Sequence, residues 1–128
     1  MVNRTLKTAA FLIAAATPAL AENQTWNITE VTESVGGPEG QWSVSVDGGG
    51  KITGHANMQT GTGAVVTYNV DGSIKGTEFT VNMSDRSDGK KGCVANGQST
   101  LNEDRKSHRV IGKVQCDGNV KFYIRGGY

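Results

Sequence analysis

The chain has little of what usually carries chemistry. It holds two histidines, two cysteines and two prolines in 128 residues. No G-x-S-x-G, H-E-x-x-H, phosphate-loop or dinucleotide pattern occurs. Cys93 and Cys116 are too far apart for a C-x-x-C redox pair, and no histidine lies close enough in sequence to complete a zinc set. The polar run Asp85-Arg-Ser-Asp88-Gly89 lacks the alternating ligands and closing glutamate of a calcium loop. The chain is therefore expected to be a non-enzyme, with no catalytic residue, cofactor or metal. His55 and His108 are read as surface side chains.

A membrane-spanning run is also missing. The longest apolar stretch, Thr8 to Ala16, follows a basic start with Arg4 and Lys7 and precedes Pro18-Ala19-Leu20-Ala21. That order describes a signal peptide over residues 1–21, cleaved after Ala21. The run is roughly half of the ~20 residues a spanning helix needs, so it is not an anchor. Residue 22 is Glu, which excludes the acylated cysteine of a lipoprotein. The expected product is residues 22–128, one small domain, periplasmic or secreted and free of the membrane. Arg4 and Lys7 are the only charges removed from 13 basic and 12 acidic residues, leaving a net charge of −1. A balance so near zero gives no bulk reason to bind nucleic acid. The alanine-rich leader is of a bacterial kind, so Asn23-Gln-Thr25, Asn27-Ile-Thr29 and Asn82-Met-Ser84 are read as bare sequons. In an oxidising compartment, Cys93 and Cys116 are expected to form one structural disulfide.

A sustained helical period is the last absence. Two-residue alternation takes its place, in Trp42-Val44-Val46, Ala64-Val66-Tyr68-Val70, Phe79-Val81-Met83, Val110-Gly112-Val114-Cys116 and Val120-Phe122-Ile124. With Trp26 to Val31 and Lys51 to Met58, about eight short strands fit. Asp-Gly follows the last apolar residue of three of them, at Asp47-Gly48, Asp71-Gly72 and Asp117-Gly118, and is read each time as a hairpin turn. A two-residue turn at Asp71-Gly72 would set Val66 against Thr77 and Ala64 against Phe79. At the last hairpin a three-residue loop, Asp117-Gly118-Asn119, pairs Cys116 with Val120 and Val114 with Phe122, with a left-handed residue near its end. If the cysteines oppose each other, their hairpin tip centres between Asp104 and Arg105. Ala95 then meets Val114 and Gly97 meets Gly112 on the inner side. The fold class is all-β: an antiparallel meander, with a closed barrel preferred over a two-sheet sandwich.

Gly40-Gln41-Trp42 opens the main run of strands and Arg125 lies in the last one. This resembles the calycin pattern of lipocalins and avidins, in which a G-x-W tryptophan stacks under a basic residue near the end of the barrel. The chain is short for a lipocalin and has a candidate strand ahead of the G-x-W. The resemblance implies an up-and-down barrel; Trp42, Tyr68 and Phe122, which would line a cavity inside it, and Arg125 are the candidate ligand-binding residues. Gly36-Gly-Pro-Glu-Gly40 and Met58 to Gly63 are read as flexible loops lining one rim. Two basic groups, Arg86, Lys90 and Lys91 and then Arg105, Lys106, His108 and Arg109, are interleaved with acids and read as solvated turns. The function expected is an exported, non-catalytic barrel that binds an unknown small ligand or protein. The alternatives are a protease inhibitor acting through a free segment at Glu22 to Trp26, and an envelope assembly accessory. A packed lumen would move recognition to the rim or outer wall; a hollow one would admit a small molecule.

Overall fold

The computed structural model describes residues 20–32 and 35–128. All but the last two residues of the expected leader lie outside these. Eight strands follow in order: β1 (Glu22–Thr32), β2 (Val35–Val46), β3 (Lys51–Gln59), β4 (Val65–Lys75), β5 (Glu78–Ser84), β6 (Cys93–Leu101), β7 (His108–Cys116) and β8 (Val120–Gly127). Each pairs antiparallel with the next, and β8 returns to β1 from Gly127↔Asn27 to Tyr123↔Val31, which closes the barrel. At the level of architecture this agrees with the calycin resemblance. The β3–β4, β5–β6 and β7–β8 connections lie at one end, here the upper end, where β1 also ends and β2 begins.

Alternation decides which side chains fill the lumen. Trp26, Trp42, Tyr68, Phe79 and Phe122 all point inward and are buried, with valines, isoleucines and methionines between them. A column of rings runs through the interior. His108 stacks on Tyr128 at 4.4 Å, Tyr128 on Trp26 at 4.7 Å, and Trp26 on Trp42 at 5.8 Å, whose edge then meets Tyr68 at 6.3 Å. Along this axis the barrel is a core filled by side chains.

The cysteine hairpin has the expected register. Ala95 opposes Val114, Gly97 opposes Gly112, and Cys93 and Cys116 are bonded where β6 begins and β7 ends. The last hairpin also follows expectation: Cys116↔Val120 and Val114↔Phe122 flank Asp117–Asn119, with Gly118 and Asn119 at φ of 76° and 63°. A disulfide is compatible with a periplasmic or extracellular protein.

Two turn readings are corrected. β4 runs straight through Asp71-Gly72, and the chain reverses at Gly76-Thr77, with Lys75↔Glu78 and Ile74↔Phe79 in register. Gly72 is needed inside the strand because a β-carbon there would overlap the Thr80 carbonyl of β5. Asp71 points outward and accepts a hydrogen bond from Asn82 Nδ2. Likewise, Gly36 to Gly40 is part of β2, not a free rim loop. The pairing of β1 with β2 shifts between Thr29 and Val31, and this bulge accommodates Pro38, which has no amide hydrogen for a ladder. At the seam of the barrel, a side chain on Gly126 would overlap the Asn27 carbonyl, so glycine lets β8 reach β1.

Candidate functional site

The most concentrated polar chemistry lies in the upper mouth. Glu30 continues the inward set of Trp26 and Ile28, so β1 carries a carboxylate into the lumen, where it is 2 % exposed. The β5–β6 loop brings its partner. Ser87 donates its amide to the Thr67 carbonyl and accepts from the Thr67 amide, and Asp117 N–H bonds the Lys91 carbonyl. Laid down in this way, the loop inserts Arg86 over the rings of Tyr68 and Phe122, at 4.4 and 5.4 Å. Arg86 donates to both Glu30 oxygens, at 2.8 and 3.2 Å, and to both Asp88 oxygens, at 2.8 and 3.0 Å. Lys90 Nζ adds a bond to Asp88, also at 3.0 Å. Below it, Trp42 Nε1 donates to Tyr68 Oη and Tyr68 Oη donates to Glu30, each at 2.8 Å.

Burial, with the Glu30 charge beside it, holds the Tyr68 phenol well above its ordinary value, so it remains a donor. Burial opposes the charged forms of Arg86 and Asp88, but their mutual hydrogen bonds outweigh it. With Glu30 and Lys90 added, the guanidinium sits above its usual range and the Asp88 carboxyl well below. Two cations and two anions balance, and they face one another. Chemically this is a polar plug that stoppers the barrel, with its donors and acceptors turned toward each other.

A broad concavity of about 1240 Å³ lies on the outer wall. Registers Asn27↔Gln41 and Gln41↔Asn57 align three amide side chains across β1, β2 and β3, and Gln59 extends the set by one row. Gly126 and Gly127 leave its floor bare, and Asn102, Ser107, His108 and Arg109 form its far side. His108 Nδ1 is the one buried side-chain polar atom without a partner among the described residues, and it belongs to this lining. Amides that both donate and accept, with few charges nearby, suit a hydrogen-bonding, hydroxyl- or amide-rich ligand.

Of the residues singled out from sequence, Trp42, Tyr68 and Phe122 come together, but inside a filled core. Arg125 does not join them. Phe122 and Ile124 point inward, so parity turns Arg125 out to solvent, and Arg86 is the basic residue beside the interior rings. Arg86 is thus no solvated turn residue, and His108 is half-buried against Tyr128. His55 is exposed as expected, bonded to Asn69. The segment Glu22 to Trp26 is not free: it is the first half of β1, registered with β2 from Val46 to Trp42. Among the described residues no group of His, Cys, Asp or Glu is placed to hold a metal.

These features define a closed eight-stranded meander barrel with a filled lumen, a plugged mouth and a polar outer groove. The chain matches no known protein family, no curated protein and no solved structure.

Proposed function

We propose that this is an exported, non-catalytic binding protein that takes its ligand on the outer wall of the barrel, at the amide-lined groove. One observation carries the reading: side chains fill the lumen from His108 to Arg86, while a broad open concavity lies outside, lined by Asn27, Gln41, Asn57 and Gln59. Function then resides in side chains displayed by a rigid scaffold. The barrel holds the amides in register, so little ordering cost remains on binding.

The test is a titration of the isotope-labelled protein with neutral oligosaccharides and short peptides, followed by amide and indole NMR. Shifts confined to Asn27, Gln41, Asn57, Gln59 and their neighbours are expected. Gln41→Ala and Asn57→Ala should weaken that binding with no change in melting temperature. A panel that leaves the groove resonances in place, or moves the Trp42 indole instead, overturns the proposal.

A further inference from the structure

The contiguous strands β6, β7, β8 and β1 share a second feature. Their outward positions carry four cations, Arg109, Lys113, Lys121 and Arg125, and no acid. All four are exposed, and none makes an ion pair among the described residues. Composition does not require this, because basic and acidic residues nearly balance over the chain. Of the acids on these strands, Glu30 points into the lumen and Glu22 follows the same inward parity at the start of β1; the other described acids are on β2, β4 and β5 and in the connections.

Register arranges the cations in a line. Gln115 opposes Lys121, Lys113 opposes Tyr123, Ile111 opposes Arg125 and Arg109 opposes Gly127. Four successive outward rows therefore carry one cation each, alternating between β8 and β7. At about 3.4 Å per residue, the rungs are ~7 Å apart and the ladder is ~20 Å long. Tyr123 and Ile111, 55 % and 44 % exposed, occupy the two middle rows. An acid-free row of like charges concentrates positive potential and attracts a matching polyanion.

We infer that the β7–β8 wall docks a linear anionic polysaccharide, with carboxylate or sulfate groups on successive rungs and a sugar ring on Tyr123. Platforms for single-stranded nucleic acid stack successive bases on several aromatics, and this wall has one. Asn96, Gln98 and Thr100, outward on the neighbouring β6, supply partners for sugar hydroxyls. The wall shares Arg109 with the groove's far side, but the inference goes beyond the groove and does not depend on binding there.

The experiment is calorimetry of the disulfide-bonded protein with polygalacturonate, dextran sulfate, neutral dextran, an oligothymidylate and phosphatidylglycerol vesicles. Binding of at least one anionic glycan is expected, and which one binds identifies the acidic group. Neutral dextran should not bind. Affinity should fall on the order of 100-fold between about 50 and 200 mM salt, as some four charge contacts require. Lys113→Gln and Arg125→Gln should each weaken binding severalfold and lower the salt slope by about one, with melting unchanged. Lys75→Gln, on β4, should change neither. Failure of both anionic glycans to bind, equal binding of neutral dextran, or an equal loss from Lys75→Gln overturns the inference. Tighter binding of the oligonucleotide or the vesicles overturns the assignment to a polysaccharide.

Discussion

Glu30 and Arg86 are separated by 56 residues and meet with almost no solvent between them. Their value lies in completeness. Desolvating two charges costs several kcal/mol each, and it is offset here by two-point geometry, a second carboxylate and the face of Tyr68. Removing one partner strands the other. Glu30→Ala is expected to cost about 3 kcal/mol, measured by urea unfolding, and Arg86→Met a comparable amount. Joined in one variant, the two should cost less than their sum, by a coupling of about 1 kcal/mol or more. Strict additivity would mean that the residues do not act as a pair. The same reasoning separates Arg86 from Arg125, which is exposed and has no ion-pair partner among the described residues, and whose neutralisation should leave stability unchanged.

Among the elements, the β6–β7 hairpin is the clearest case of a cross-link placed on an existing register. Its loop is closed by Cys93 and Cys116, 23 positions apart. In the chain-entropy account, a loop of this size is worth about 3 kcal/mol, mainly by restricting the unfolded chain. The double variant Cys93→Ser, Cys116→Ser should therefore melt lower by roughly ten degrees or more. Its Ala95–Val114 and Gly97–Gly112 pairing, followed by NMR contacts, should survive, because strand parity sets the register. Loss of that pairing would show that the disulfide, not the strands, defines the hairpin. This hairpin was legible in the sequence, since alternation and cysteine parity are local and both point to one register. Asp71-Gly72 was misleading because turn dipeptides and strand glycines look alike until the neighbouring backbone is present. Glu30 had a legible signal, its place two residues beyond Ile28 on the inward face. Arg86 had none, because only loop closure over β4 brings it to the mouth. The groove was equally hidden: its amides belong to three strands, and registry aligns them.

For the whole molecule, the plug ties stability to pH at both ends of the scale. The Asp88 carboxyl is held below its ordinary value, so its contribution is complete above the unfolded value of about 3.9 and declines as pH falls below it. Asp104, bonded by the amides of Lys106 and Ser107, shifts in the same direction at the surface. Tyr68 is held above the ordinary phenol value. Its contribution is complete below about pH 10 and is lost as pH rises further, because the unfolded chain then releases a proton that the folded barrel retains. Melting temperature should accordingly show a plateau between roughly pH 4 and pH 10, with a decline on each side. Each limb has its own variant. Asp88→Asn should melt lower than the parent at neutral pH, and the gap should narrow as pH falls below about 4. Tyr68→Phe loses the bonds to Trp42 and Glu30, so it too should melt lower, with a gap that narrows above about pH 10. Gaps constant across the whole range would mean that the mouth is held by packing alone. A narrowing on the predicted side for each variant would identify the charged plug as the part of the barrel that senses acid and base.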